Sequence, residues 1–270
     1  GGTHVKMSFT VRGKPLQPAA VVDAVKLSAE KDCSASKMVE GTATWAEAYT
    51  NRGLRSYMPD MNAGLDSPGT GLLTRAYDAV PFWIYLERRT NWQAIADVWE
   101  QYAGNGGSAI AAVETVTTAR LHLDFEAFFR LWIKANYAKD LANAGVLDYL
   151  EDEVRAQNCG VAKGPLSHVP RQTRQLDATH PFWKFDPSPD AYSARYYEFT
   201  LAPDQRHIRV QLSASMVASL QVIGIKANRI VSAFDAPPSL SHVYETTIRA
   251  GAWDRLAVIV GGLDEPSSHG

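Results

Sequence analysis

Only two cysteines, Cys33 and Cys159, occur in the 270 residues, and they lack the CxxC spacing of a zinc ribbon or a thioredoxin-type redox site. Two buried thiols and one disulfide in an exported protein are both compatible with such a pair. Long apolar runs are scarce as well. The longest, Ala79 to Leu86, falls far short of the ~20 residues that cross a bilayer, so no membrane span is expected. Neither charge sign dominates: 27 Lys and Arg face 29 Asp and Glu, and the net charge of -2 offers no broad attraction to nucleic acid or an anionic membrane. G-x-S-x-G, P-loop and G-x-G-x-x-G motifs are missing, which removes support for a hydrolase elbow, an NTPase or a dinucleotide-binding fold. No period of about 20–50 residues recurs, so a repeat architecture is not expected. The chain opens on Gly1-Gly2-Thr3 without a Met, a basic n-region or an apolar h-region, so the expectation is that any signal peptide has gone, or that an upstream segment is missing.

What is present suits a globular protein, because 46% hydrophobic and 21% charged residues can bury a core. The length suits two domains, since one core rarely serves more than about 150–200 residues. Lys6 to Arg12 alternates and predicts one short strand, ended by Gly13 and Pro15. Ala19 to Lys31 keeps helical spacing, and Ser36 can cap a second helix from about Lys37 to Tyr49. Asn51 to Gly71 holds four glycines and two prolines, which predicts a long irregular connection. Four helices are expected over Arg75–Arg89, Trp92–Tyr102, Ser108–Thr118 and Asp124–Lys139, with aromatic stripes that point to core. A shorter helix is expected around Val146 to Ala156.

Pro165, Pro170, Pro181, Pro187 and Pro189 interrupt a stretch with no persistent period, and the domain boundary is placed there. From Ala191 the period becomes two. Strands are predicted over Tyr196–Leu201, His207–Leu212, Leu220–Ile225, Asn228–Phe234, Val243–Arg249 and Arg255–Val260. The fold class read from this pattern is α+β. A mainly helical domain occupies residues 1–157, a proline-rich connection 158–190, and a small all-β sandwich 191–263.

Candidate chemistry concentrates in Met38 to Glu47. On a helix Glu40, Thr44 and Glu47 share one face at i, i+4 and i+7. By pattern alone this is an amphipathic helix with solvated carboxylates, set opposite much of the apolar surface. The seven histidines (4, 122, 168, 180, 207, 242 and 269) are scattered, with no i, i+4 pair and no HxH, and His122 is read as the start of a helix. Gly104 to Gly107 is a turn between helices, because no Lys-Ser/Thr follows it. Arg195-Tyr196-Tyr197 is too short a basic and aromatic patch for nucleic-acid binding.

The wording Glu40-Gly41-Thr42-Ala43-Thr44-Trp45-Ala46-Glu47 resembles the glutamate helix of the gluzincin metallopeptidases, especially the aminopeptidase-N-like group and secreted bacterial proteins of that type. Tyr77 to Glu87 resembles the tyrosine-bearing helix that follows it there. The resemblance covers roughly residues 15 to 140. It implies that Glu40 matches the third zinc ligand and Tyr77 the hydrogen-bond donor to the oxyanion. A catalytic member also needs two His and a Glu from H-E-x-x-H, and this sequence contains none; the aligned positions hold Ala19, Ala20 and Asp23. No bound cofactor is therefore expected, and zinc only if the missing ligands come from outside this chain.

Ala194 to Pro203 is similar to the start of the pre-peptidase C-terminal type of β-sandwich, an accessory module. Together these resemblances imply a non-catalytic, metallopeptidase-like protein, secreted or at the cell surface, with a binding or scaffold role. Its expected site is a groove presenting Glu40, Glu47 and Tyr77 to a peptide or protein partner. The alternative is the C-terminal part of an active zinc metallopeptidase whose metal-binding helix lies outside this chain. An extracytoplasmic location would also let Cys33 and Cys159 oxidise.

Overall fold

A computed structural model describes residues 33–50, 57–104, 107–139, 141–148, 166–185, 187, 189–203, 207–213, 217–236, 243–249 and 253–263. The strand and helix expected before residue 32 lie outside these, as does Cys159. Helices and β-sheets are both present, which makes the fold α+β. Among the described residues, 33–64 with 73–128 form one compact unit, and 65–72 with 129–263 form the other.

The first unit is helical. It contains α1 (Cys33–Thr50), most of α2 (Met58–Asp66), α3 (Val80–Arg89), α4 (Trp92–Gly104), α5 (Ala109–Leu121) and the first turn of α6 (Phe125–Ala138). Pro81 in the first turn of α3 occupies a position where a missing N–H costs nothing, and Arg88 and Arg89 sit at the negative end of its dipole. Ser108 caps α5 by accepting from the Ala111 N–H at 3.3 Å. His122 adopts a left-handed φ of 57° and ends α5, so it closes a helix rather than starting one. The aromatic stripes meet as core: Phe82 packs on Phe125 and Phe128, and Trp83 stacks on Trp99 at 6.1 Å between ring centroids.

The stretch Asn51 to Gly71, read as irregular, contains α2. Met58, Met61 and Leu65 bury one helical face there, and that apolar spacing outweighs the Gly and Pro count. Of the helix expected at Val146 to Ala156, the described part is a single 3-10 turn, Gly145–Leu147, followed by extended Asp148.

The second unit is built on a five-stranded sheet in the order β1-β2-β7-β4-β5. Its strands are β1 (Arg171–Leu176), β2 (Ala194–Leu201), β4 (Ala218–Lys226), β5 (Arg229–Asp235) and β7 (Arg255–Gly262). β1 and β2 are parallel and the other neighbours antiparallel. β3 (His207–Ser213) and β6 (Val243–Arg249) form a separate antiparallel pair. β1 is an addition to the six strands read from the sequence; five of its six residues are exposed, so it carries no alternating apolar signal.

One face of the larger sheet, with Tyr197, Leu201, Leu220, Val222, Leu256 and Val258, shares a core with Ile208 and Leu212 of β3 and with Tyr244 and Ile248 of β6. The opposite face meets α6. Tyr196 Oη donates to the Ile133 carbonyl and Gln221 Nε2 to the Arg130 carbonyl, both at 3.0 Å. Lys134 Nζ lies 2.6 Å from Asp235 Oδ1. Burial on both faces explains why β4 and β7 read as nearly continuous apolar runs. The helix expected over Asp124–Lys139 thus forms, yet most of it groups with the sheet, and the division between compact units falls inside α6.

Candidate functional site

The residues singled out from the sequence lie on α1 and on the 3-10 turn Tyr77–Ala79 that leads into α3. These two elements touch through a glycine. A Cβ placed on Gly41 would lie 2.7 Å from Ala79 Cβ and 2.9 Å from the Ala76 carbonyl oxygen, distances that only a residue without a side chain accommodates. Glu40 therefore neighbours the contact on one element, and Tyr77 neighbours it on the other.

The turn that carries Tyr77 is locked from below. The buried Arg75 guanidinium donates to the Gly64 carbonyl at 3.0 Å and pairs with Asp78 Oδ2 at 3.0 Å, while Asp78 Oδ1 accepts from the Ala76 N–H at 2.9 Å. Above it, Trp45 Nε1 donates to Glu87 Oε2 at 3.3 Å and ties α1 to α3. Glu40 is half-buried, Glu47 exposed and Tyr77 51% exposed. Thr44, expected on the solvated face with them, is buried and donates to the Glu40 carbonyl at 3.2 Å. The face bearing Glu40, Thr44 and Glu47 is therefore not simply solvated: between Gly41 and Ala48 α1 is buried around most of its circumference, because Ala, Thr and Gly let it approach its neighbours closely.

Beside this contact the Trp83 indole N–H, fully buried, has no acceptor among the described residues, and its nitrogen lies 3.2 Å from the Cβ position of Gly41. The arrangement offers one carboxylate, one phenol and one buried donor. Among the described residues no three His, Cys, Asp or Glu side chains come together in a way that could hold a metal ion, so Glu40 lacks the partners that a zinc site of three or four ligands requires. One carboxylate and one phenol, the donors that the described residues bring here, do not by themselves fit zinc.

Two constellations of the second unit went unread in the sequence. In the first, the buried Glu198 carboxylate accepts from Tyr137 Oη and from Arg255 Nη1 at 3.2 Å, with Arg171 Nε 3.4 Å away. Burial, and then the hydrogen bond to Glu198, push the Tyr137 phenol far above its ordinary range. The readable signal was Glu198 standing two residues from Tyr196 on one strand face.

The second is a cavity of about 800 Å³ lined by β3, residues 181–185 and Pro187, with Tyr197, Phe199, Leu220 and Val258 also among its lining. Phe182, Trp183 and Phe185 supply its aromatics. Its signal was three aromatics within four residues among prolines, outside any period. The turn before them is set by Asp177, whose Oδ1 accepts from Thr179 Oγ1 at 2.7 Å and from the His180 N–H at 2.7 Å; these bonds, Thr179 first, hold its carboxyl below the ordinary carboxylate range.

No family model matches the chain. A stretch of 47 residues, 17% of this chain, is 45% identical to Protein YhfA of Escherichia coli (strain K12), and the same identity recurs with Protein YhfA of Escherichia coli O157:H7 and of Shigella flexneri. The match spans 35% of the length of these relatives. No solved structure matches. No helix among the described residues is long and apolar enough to cross a membrane.

Proposed function

We propose that the chain is a metallopeptidase-like protein without catalysis of its own, acting extracytoplasmically as a binding or scaffold protein, with Glu40, Glu47 and Tyr77 facing a peptide or protein partner. One observation carries the reading: the glycine contact of α1 with the turn before α3 sets Glu40 and Tyr77 on adjoining elements, as the resemblance to the glutamate and tyrosine helices of gluzincins requires. Zinc chemistry would need a metal-bound water of lowered pKa and a Glu to take its proton. Neither the two His nor that Glu is present in an H-E-x-x-H motif, so Tyr77 has no nucleophile to serve. The β-unit, similar at Ala194 to Pro203 to a peptidase accessory module, fits the same reading.

Metal analysis by plasma mass spectrometry, after purification without chelator, tests it. The expected outcome is no stoichiometric zinc and no chelator-sensitive peptide cleavage. One tightly held zinc per chain, lost together with cleavage, overturns the proposal; zinc held only by a longer chain favours the reading as part of an active enzyme.

A further inference from the structure

Where the parallel strands β1 and β2 begin, a cavity of about 530 Å³ is lined by both of them and by the segment Asp66 to Thr70. Arg195 is exposed there between buried Ala194 and Tyr196. The backbone on either side of the cavity is fixed. The Ala194 N–H donates to the Pro68 carbonyl at 2.8 Å and the Leu72 N–H to the Tyr192 carbonyl at 2.9 Å, while the Thr70 N–H closes a turn onto the Ser67 carbonyl at 3.0 Å. An anchored strand and an anchored turn thus flank one exposed arginine.

Gly69 sets where the guanidinium lies. A Cβ on Gly69 would come within 2.6 Å of Arg195 Cζ, so the guanidinium rests on the bare glycine of the turn. Side chains alternate between faces along a strand. Gln172 stands opposite Tyr197 in the parallel register and so shares the face of Arg195; both line the cavity together with Ser67 and Thr70. Arg171 lines it too, but belongs to the other face, where its Nε lies 3.4 Å from Glu198 Oε2. A planar guanidinium, a primary amide and two hydroxyl side chains therefore border one cavity, and a guanidinium matches two oxygens of a carboxylate or phosphate with parallel N–H bonds. Asp66 also lines the cavity, and its negative charge disfavours a second anionic group on the same ligand.

We propose that this cavity binds a small hydrogen-bonding molecule through a single oxyanion, a carboxylate or a phosphate, held on the Arg195 guanidinium. Because the turn and the strand are already tied together, little ordering is left to occur on binding. The site lies wholly within the second unit and stands apart from the metallopeptidase-like reading.

A nitrogen-15 shift titration of the full chain tests it, following the Gly69 amide and the Arg195 Nε–Hε signal, identified as the one lost in Arg195→Lys. N-acetylglycine and glycerol 3-phosphate supply the carboxylate and the phosphate, and N-acetylglycinamide and glycerol are their uncharged counterparts. At constant ionic strength both signals should shift saturably with at least one anion and not with the counterparts; the anion that saturates at the lower concentration identifies the source. Arg195→Gln, at an exposed position and checked for unchanged circular dichroism, should weaken binding about tenfold at the Gly69 amide. Gly69→Ala displaces the far end of a flexible side chain and should weaken binding about fivefold with the melting temperature unchanged. Asp66→Asn should tighten it about threefold. No saturable shift with either anion, an equal response to the uncharged counterparts, full affinity retained in Arg195→Gln, or weaker binding in Asp66→Asn overturns the proposal.

Discussion

Glu198 is the side chain on which the second unit depends most. It is buried, and three groups from α6, β1 and β7 converge on it. Glu198→Ala strands the Tyr137 hydroxyl and leaves Arg255 without its carboxylate, so a loss of about 2–4 kcal/mol is expected, below the figure for a fully buried pair because both arginines are partly solvated. Glu198→Gln keeps an acceptor for Tyr137 and should lose less; urea titrations of both variants check the order. Ala227 is the opposite case. It holds a left-handed φ of 47° in the two-residue turn between β4 and β5, beside Asn228 at 60°. Ala227→Gly removes that strain and should raise stability by about 0.5–1 kcal/mol, read as a higher melting temperature.

Buried phenols also set an alkaline limit. Burial pushes Tyr85 up to about 12 against the partial counter-effect of Arg89. Below pH 10 both folded and unfolded chains carry the neutral phenol, and its burial is unpenalised. Above pH 10 the unfolded chain releases the proton and the folded one keeps it, so stability falls until the pH passes the folded value. Two units correspond to about 3 kcal/mol. Tyr85→Phe should flatten the decline between pH 10 and 12 in unfolding titrations; an unchanged slope would show that Tyr85 does not set it.

Among the elements, α1 owes its position to Gly41. Gly41→Ala improves helix propensity by up to about 1 kcal/mol but forces a Cβ to within 2.7 Å of Ala79 Cβ, and overpacking of this kind costs about 1–3 kcal/mol. A net loss is expected in thermal melts, together with altered near-ultraviolet signals from Trp45 and Trp83 as α1 moves off the turn. The helix itself was legible in the sequence from its spacing and the Gly41 contact was not, because propensity treats a mid-helix glycine as a defect and only the facing element reveals its use. The same holds for α6. Its apolar stripe announced a helix, but the stripe is wide, with Phe125 and Phe128 packing among helices while Ile133 and Tyr137 face the sheet.

For the whole molecule, the consequence is that the strands do not make a complete unit. The face of the sheet holding Ile223, Ala257 and Ile259 is buried only with α6 in place, since Gly261 on that face lies against Ile133 and Phe129. A chain of residues 191–270 should therefore expose this face and aggregate or bind hydrophobic dyes. Residues 123–270, which restore α6 and β1, should give cooperative unfolding. Comparable cooperative unfolding of both fragments would place the boundary in the proline-rich stretch instead.

Local chemistry by itself determined the kind and approximate extent of most described elements, since the 3.6 and 2.0 periods arise from how each backbone presents its side chains to a core. It also determined that no H-E-x-x-H motif exists in this chain. Tertiary structure alone decided that β1, polar along its length, is a strand, because its pairing with β2 runs through backbone groups that every residue carries. It decided that Glu198 meets Tyr137 and Arg255 across more than fifty residues of chain, and that β3 lines one cavity with Phe182, Trp183 and Phe185. These depend on which surfaces meet, and residues far apart in sequence leave no mark of their meeting in any local period.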